Sequence, residues 1–262
     1  MSSKKHLTRN SLSERNIMNM WRYAIAFGFD GTAYHGWQIQ PNGMSVQQKL
    51  QEALGLVLRK DILVVGAGRT DAGVHARKMT AHFDLDEEIA CEQLAYRLNR
   101  VLPKDIAVYD VKRVSEDFHA RFSAVKRTYH YYIHLRKDPF RRHYSYELHA
   151  CPDFKLMNTA AAYLLETRDF AAFCKSKSDA KTTICRVMAA RWIQETEHCW
   201  YFEIAADRFL RNMVRAVVGT LLDVGRHRIT LEEFRKIVAS GSRSAAGESV
   251  PGNALFLEDV EY

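Results

Sequence analysis

The 262-residue sequence predicts an α+β protein. Two ferredoxin-like β-α-β-β-α-β units, residues 21–125 and 126–262, are expected to share a mainly antiparallel sheet. Three observations predict it. Apolar residues alternate with polar ones, as in half-buried strands, at intervals along the whole chain. Helical stripes stand between these stretches. The order of strand and helix patterns in the first half returns in the second. No residue-level repeat accompanies it, so the duplication is one of pattern alone.

Trp21, Tyr23, Ile25, Phe27 and Phe29 alternate with smaller or polar residues and read as a strand, closed by Asp30-Gly31. Ser45 and Gln48 have capping-box spacing ahead of Val46, Leu50, Leu54, Val57 and Leu58, one face of a helix. Residues 62–65 read as a short apolar strand running into a glycine loop. Met79, Ala81, Phe83 and Leu85 alternate again; Ala90, Leu94 and Leu98 suit a helix, and residues 106–114 a strand. In the second half, residues 128–135 read as a strand. Asp153 can cap a helix through Leu156, Ala160, Tyr163 and Leu164. Residues 184–194 and 200–206 read as two strands. Residues 210–224 form a strongly patterned helix, with Gly225 as its stop. Thr230 and Glu233 form a second capping box, opening an extra helix, and residues 254–260 close the set. Residues 1–20 carry Lys4, Lys5, Arg9 and Arg15 without an apolar stretch behind them. That is not a secretory signal. It reads as a disordered basic arm, with Met18 and Met20 as alternative starts.

The balance of 38 Lys+Arg against 31 Asp+Glu gives +7 and a pI near 9.1, which leans toward a polyanionic partner. Clustering sharpens this. Basic residues gather at Lys112 and Arg113, at 121–127, 136–143 and 175–181, and from Arg208 to Arg228, several beside aromatics able to stack on unpaired bases. The plain alternative is a set of solvated faces. Five cysteines, an odd number with no C-x-x-C pair, argue against a disulfide scaffold or zinc ribbon and fit a reducing cytoplasm. No apolar run approaches the roughly 20 residues of a membrane helix.

The most informative stretch is Gly66-Ala67-Gly68-Arg69-Thr70-Asp71-Ala72-Gly73-Val74-His75-Ala76. It sets one carboxylate, Asp71, in a flexible loop that another molecule can approach closely. Asp and Gly dominate ordinary turns too. The eleven-residue string, however, resembles the signature loop of the TruA family of tRNA pseudouridine synthases. Further segments are similar to that family, in its order: Phe29 to Gln38, Arg121-Phe122-Ser123-Ala124, Lys126-Arg127-Thr128-Tyr129-His130-Tyr131, Asp169 to Phe173, and Asn212 to Leu221. The resemblance runs from about Trp21 to Tyr262. It implies two α+β subdomains around a basic cleft, a homodimer, and tRNA as partner. The implied targets are uridines 38, 39 and 40 of the anticodon arm.

Turning uridine into pseudouridine breaks the N1–C1′ bond, rotates the base and joins C5 to C1′. No electron leaves and no group is lost, so the reaction requires neither a redox cofactor nor a metal. It does need a carboxylate beside the ribose, a holder for the detached uracil, and an acceptor for the C5 proton. The resemblance puts the carboxylate at Asp71. Attack on C1′ to give an ester and removal of the 2′ proton to give a glycal both remain open. Tyr129 matches the tyrosine that stacks on the target base, and is a candidate for taking the C5 proton; otherwise it is a strand aromatic. Arg215 stands in an apolar helix, where a cation is costly unless paired. The family sets it against the catalytic carboxylate; otherwise it snorkels from the helix edge. Arg69 fills the gap left by the flipped base or contacts a phosphate. Leu255 packs under the uracil or is core. Arg121, Lys126 and Lys175 are candidates for backbone contacts, and His35 and His75 for structural roles. The chain departs from the family at Thr167, Arg168, Ala254 and residues 247–251, none expected to touch the residues assigned to chemistry. Two other classes compete: a catalytically idle RNA-binding protein, and a nucleosidase, which would want two positioned carboxylates.

Overall fold

A computed structural model describes residues 20–176 and 180–262. The basic arm expected at residues 1–20 therefore falls outside the described residues, apart from Met20, as does the middle of the 175–181 cluster. Among the described residues the chain forms β1 (Trp21–Phe29), α1 (Val46–Leu58), β2 (Val65–Gly66), β3 (His75–Leu85), α2 (Cys91–Val101) and β4 (Ile106–Arg113). These are followed by β5 (Lys126–His134), β6 (Tyr146–Glu147), α3 (Phe154–Glu166), β7 (Val187–Thr196), β8 (Cys199–Ala206), α4 (Met213–Gly225), α5 (Leu231–Ser240) and β9 (Leu255–Glu261).

All nine strands join one open, mainly antiparallel sheet in the order β4-β1-β3-β9-β5-β8-β7, with β2 on β3 and β6 on β5. Its two sides meet where β3 runs parallel to β9 through two register pairs, His75 with Phe256 and Ala76 with Leu257. Five α-helices among the described residues accompany the sheet. One apolar core gathers Tyr23, Ile25, Phe27, Leu50, Leu54, Met79 and Phe83 beneath α1 and α2. A second gathers Tyr131, Ile133, Met157, Phe173, Phe202, Val217 and Leu221 beneath α3 and α4. Burying this much apolar surface is the main favourable term in folding.

Local chemistry explains the boundaries. Asp153 caps α3 by accepting the Leu156 amide, and Thr230 and Glu233 close a complete capping box on α5. At α1 only half of the expected box forms: Ser45 accepts the Gln48 amide, while the Gln48 side chain turns to Glu52. Gly225 ends α4 for a reason other than a left-handed turn. A Cβ there would drive into Met157, and the positive φ falls two residues later, at His227. The expected strand at 62–65 shrinks to Val65–Gly66. Side chains of α1 take its place in the ladder: Gln47 donates to the Val64 carbonyl and Gln51 accepts the Val64 amide. The five cysteines are free thiols, and burial pushes that of Cys185 up to about 12. Among the described residues no helix is long and apolar enough to cross a membrane.

Candidate active site

The glycine loop lies between β2 and β3, so it arrives at the seam of the sheet. Its ends belong to different cores: Ala67 and Ala76 pack in the first, Val74 in the second. Asp71 sits at its crest, and four neighbours set the backbone there. Trp37 donates its amide to the Thr70 carbonyl at 3.3 Å, and Gly73 donates to Tyr34 at 3.2 Å. Val74 donates back to the Asp71 carbonyl at 3.2 Å. Gly36 lies against the Thr70–Asp71 peptide at a φ of +88°, with no room for a Cβ.

His75 anchors the loop's far end. It is 1% exposed, accepts the Gly31 amide on Nδ1 at 3.0 Å and donates from Nε2 to the Asn253 carbonyl at 3.0 Å. Nδ1 also lies 3.0 Å from Asp30 Oδ1. Burial lowers the His75 pKa and outweighs the opposing pull of the Asn253 carbonyl and of Asp30. His75 therefore stitches the Phe29–Gln38 segment, the glycine loop and the approach to β9 together.

Arg215 reaches the loop from α4. Its Nη1 donates to Asp71 Oδ2 at 3.2 Å, and its Nε to the Val250 carbonyl at 2.7 Å. The two side chains are 23% and 28% exposed, so the pair is half-buried and open to a ligand on one side. Asp71 and Arg215 are 144 residues apart in sequence. The loop of residues 247–251 is part of this arrangement, contrary to the expectation that the chain's departures from family pattern lie away from the chemistry. Val250 holds Arg215, Gly252 packs on the Ala72 carbonyl, and the Glu248 carbonyl crosses α4 at Gly219. Arg243 secures that loop through the Ala246 and Gly247 carbonyls and the Ser249 hydroxyl.

Tyr129 stands on β5 beside the seam, packs against both cores and meets Phe209 edge-on at 5.0 Å. Burial, with the Asp71 charge nearby, pushes its hydroxyl up to about 12, so it is a phenol and not a phenolate at neutral pH. Leu255, the first residue of β9, is buried opposite Tyr131. Arg69 is exposed on the loop. Arg121 and Lys175 are also exposed, whereas Lys126 is paired with Glu261 at 2.8 Å.

Sequence reasoning missed Arg127, which it had counted within a surface cluster. Its guanidinium turns inward and donates to four carbonyls: Ala67 in the glycine loop, Arg121 and Ala124 ahead of β5, and Asp207 after β8. It clamps the loop to the second half of the chain. Burial lowers its pKa.

The sequence profile of the tRNA pseudouridine synthase family matches residues 25–123 and 160–262, and the chain belongs to that family. It is an isomerase that acts on tRNA, converting uridine to pseudouridine. Among its relatives is tRNA pseudouridine synthase A of Bacteroides fragilis, 56% identical over 246 residues covering 94% of this chain and 98% of the relative. The enzyme of the same name from Bacteroides thetaiotaomicron is 54% identical, covering 93% and 91%. That of Bacillus subtilis is 39% identical over 245 residues, covering 92% and 99%.

Proposed function

We propose that the chain isomerises uridines 38, 39 and 40 in the anticodon arm of tRNA, with Asp71 as the catalytic carboxylate. The observation that carries this reading is the Arg215–Asp71 pair at 3.2 Å. The guanidinium holds the carboxylate in one orientation, and both the ester and the glycal routes need a carboxylate fixed beside the ribose. The pair is half-buried, so a ribose can approach the carboxylate from its exposed side. Tyr129 serves as the platform for the detached uracil, with Leu255 behind it. A group with a pKa of about 12 is in its base form in roughly one molecule in 10⁵ at pH 7. That argues for stacking rather than proton removal as its task. Arg69 compensates the vacated stack or holds a phosphate; Arg121, Lys126 and Lys175 bind the RNA backbone. The Lys126–Glu261 pair is exposed, and such pairs are weak enough for a phosphate to displace the carboxylate.

The same reading takes residues 21–125 and 126–262 as two ferredoxin-like subdomains, of strand order 4-1-3-2 each, around a basic cleft. It takes the enzyme as a cytoplasmic homodimer working without a cofactor. The test is tritium release from tRNA transcripts carrying [5-³H]uridine, because joining C5 to C1′ expels that hydrogen. Wild type should release tritium from substrates with uridine in the anticodon arm. Asp71→Asn should release none while binding tRNA within about tenfold of wild type, since phosphate contacts supply most of the affinity. Loss of tight binding together with activity would make Asp71 a prop for the loop instead. Release from tRNAs lacking uridine at all three positions would overturn the target assignment.

A further inference from the structure

Residues 119–123 form a turn just ahead of β5 in which the exposed side chain is the wrong kind for solvent. Phe122 is 75% exposed at its tip. Single exposed apolar residues are common, but this one is held in place by an unusual density of bonds. His119 Nδ1 accepts the amides of both Arg121 and Phe122, at 3.1 and 3.3 Å. Ser123 closes the turn twice: its amide donates to the His119 carbonyl and its hydroxyl accepts the His119 amide, both at 2.9 Å. Ala120, wholly buried, donates its amide to His82 Nδ1 at 3.1 Å and accepts the Tyr262 hydroxyl at 2.8 Å. The Arg121 carbonyl accepts Arg127, whose other bonds reach Ala67 of the glycine loop.

The ring is oriented as well as anchored. The His119 imidazole lies against one side of Phe122, ring centroids 4.4 Å apart. The Arg121 guanidinium stands over the Phe122 ring, 5.5 Å from its centroid, so a base that stacks here takes its place while the guanidinium turns to the adjoining phosphate. A rigid turn that presents an aromatic ring covered by a displaceable cation has what an unpaired base recognises: a stacking surface and a charge for the adjoining phosphate. Its backbone is already ordered, so little conformational entropy is lost on contact. The hydrogen bonds of Arg127 tie it to the glycine loop, so it keeps a fixed place relative to that loop.

We propose that Phe122 is a substrate-positioning residue that stacks on an unpaired base of the tRNA, outside the nucleotide undergoing isomerisation, with Arg121 on the neighbouring phosphate. This rests only on tRNA being the substrate and not on the role of Asp71. Stacking on an aromatic side chain is worth about 1–3 kcal/mol per base, or roughly a fivefold to hundredfold change in affinity. The interaction is made to bound substrate throughout the reaction, so its loss should appear in KM more than in kcat.

The experiment uses the full-length enzyme and a tRNA transcript. Phe122→Ala should raise KM and Kd for the tRNA about tenfold or more, with melting temperature unchanged. Phe122→Tyr should restore most of the affinity, which a purely apolar packing role would not require. In Phe122→Trp, the added indole fluorescence, compared with wild type as background, should be quenched when tRNA binds. Unchanged KM in Phe122→Ala, or no extra quenching in Phe122→Trp, would overturn the proposal. So would a change in sedimentation from dimer to monomer in Phe122→Ala without RNA, which would assign the ring to a contact between copies of the chain.

Discussion

Gly36→Ala offers the sharpest test of how Asp71 is positioned. Gly36 is far from the loop in sequence, bears no functional group, and lies against the Thr70–Asp71 peptide at φ +88°. A Cβ built there falls well under 3.0 Å from the Thr70 carbonyl oxygen and 3.1 Å from the Asp71 carbonyl carbon. An L side chain at this φ costs about 1–2 kcal/mol before any contact is counted. To relieve the contact the loop must back away by about 1 Å, and a displacement of that size at a reacting group costs on the order of 10²-fold in rate. The nearby amide of Trp37 bonded to the Thr70 carbonyl would be strained as well. Together these suggest a stability loss of about 2–4 kcal/mol, or roughly 5–10 °C in melting temperature.

The assay is single-turnover tritium release at saturating tRNA, alongside a thermal melt and a tRNA binding isotherm. Gly36→Ala should lose about 10²-fold in rate while binding tRNA nearly as well as wild type. Gly68→Ala is its control: in the same loop, a Cβ at Gly68 meets open space. That substitution should leave the rate within about twofold and stability level or slightly raised, because it stiffens the unfolded chain. A folded Gly36→Ala enzyme with a rate within about threefold of wild type would refute the argument that this peptide contact positions the carboxylate. Equal losses in both variants would instead mean that the loop needs bare backbone against the RNA.

Two further outcomes follow from the same geometry. Arg127→Met keeps the stem but strands the carbonyls of Ala67, Arg121, Ala124 and Asp207, so it should cost about 3 kcal/mol in a urea melt and abolish turnover; an active variant of normal stability would show the clamp to be dispensable. His82 is 5% exposed, and its pKa is pushed down to about 4 by burial, then by the charges of Arg22 and His119, against the pull of Asp84. The unfolded chain thus binds the proton more readily than the folded one. Stability is complete above the unfolded pKa of about 6.5 and is lost as pH falls toward 4, by about 2 kcal/mol between pH 7.5 and pH 5. Urea melts should show that slope in wild type and a shallower one in His82→Gln; equal slopes would remove His82 as its source.

The elements that were legible in the sequence are those whose large apolar residues recur with a period. β1 and β3 set Tyr23, Ile25, Phe27, Met79, Ala81 and Phe83 over the first core and smaller or polar residues such as Ala24, Thr80 and His82 on the other face, and α4 is apolar because it is buried in the second core on nearly every side. β6 spans only two residues and has no room for a period. The strand expected at 62–65 shows the opposite failure: Ile62 and Val64 are buried and Leu63 is 80% exposed, as in a strand, yet glutamines of α1 bond its backbone in place of a neighbour. Asp71 stood out because glycines and a carboxylate in one loop are chemically conspicuous. What holds it was invisible for a different reason. Arg215 is held by the Val250 carbonyl, Arg127 by four carbonyls, His75 by a carbonyl and an amide. Every residue except proline carries both groups, so the sequence does not mark where one is needed. Arginines are marked, but their direction is not: in the run from Arg121 to Arg127, one side chain faces solvent and the other is spent inside, fastening the glycine loop to the other half of the chain.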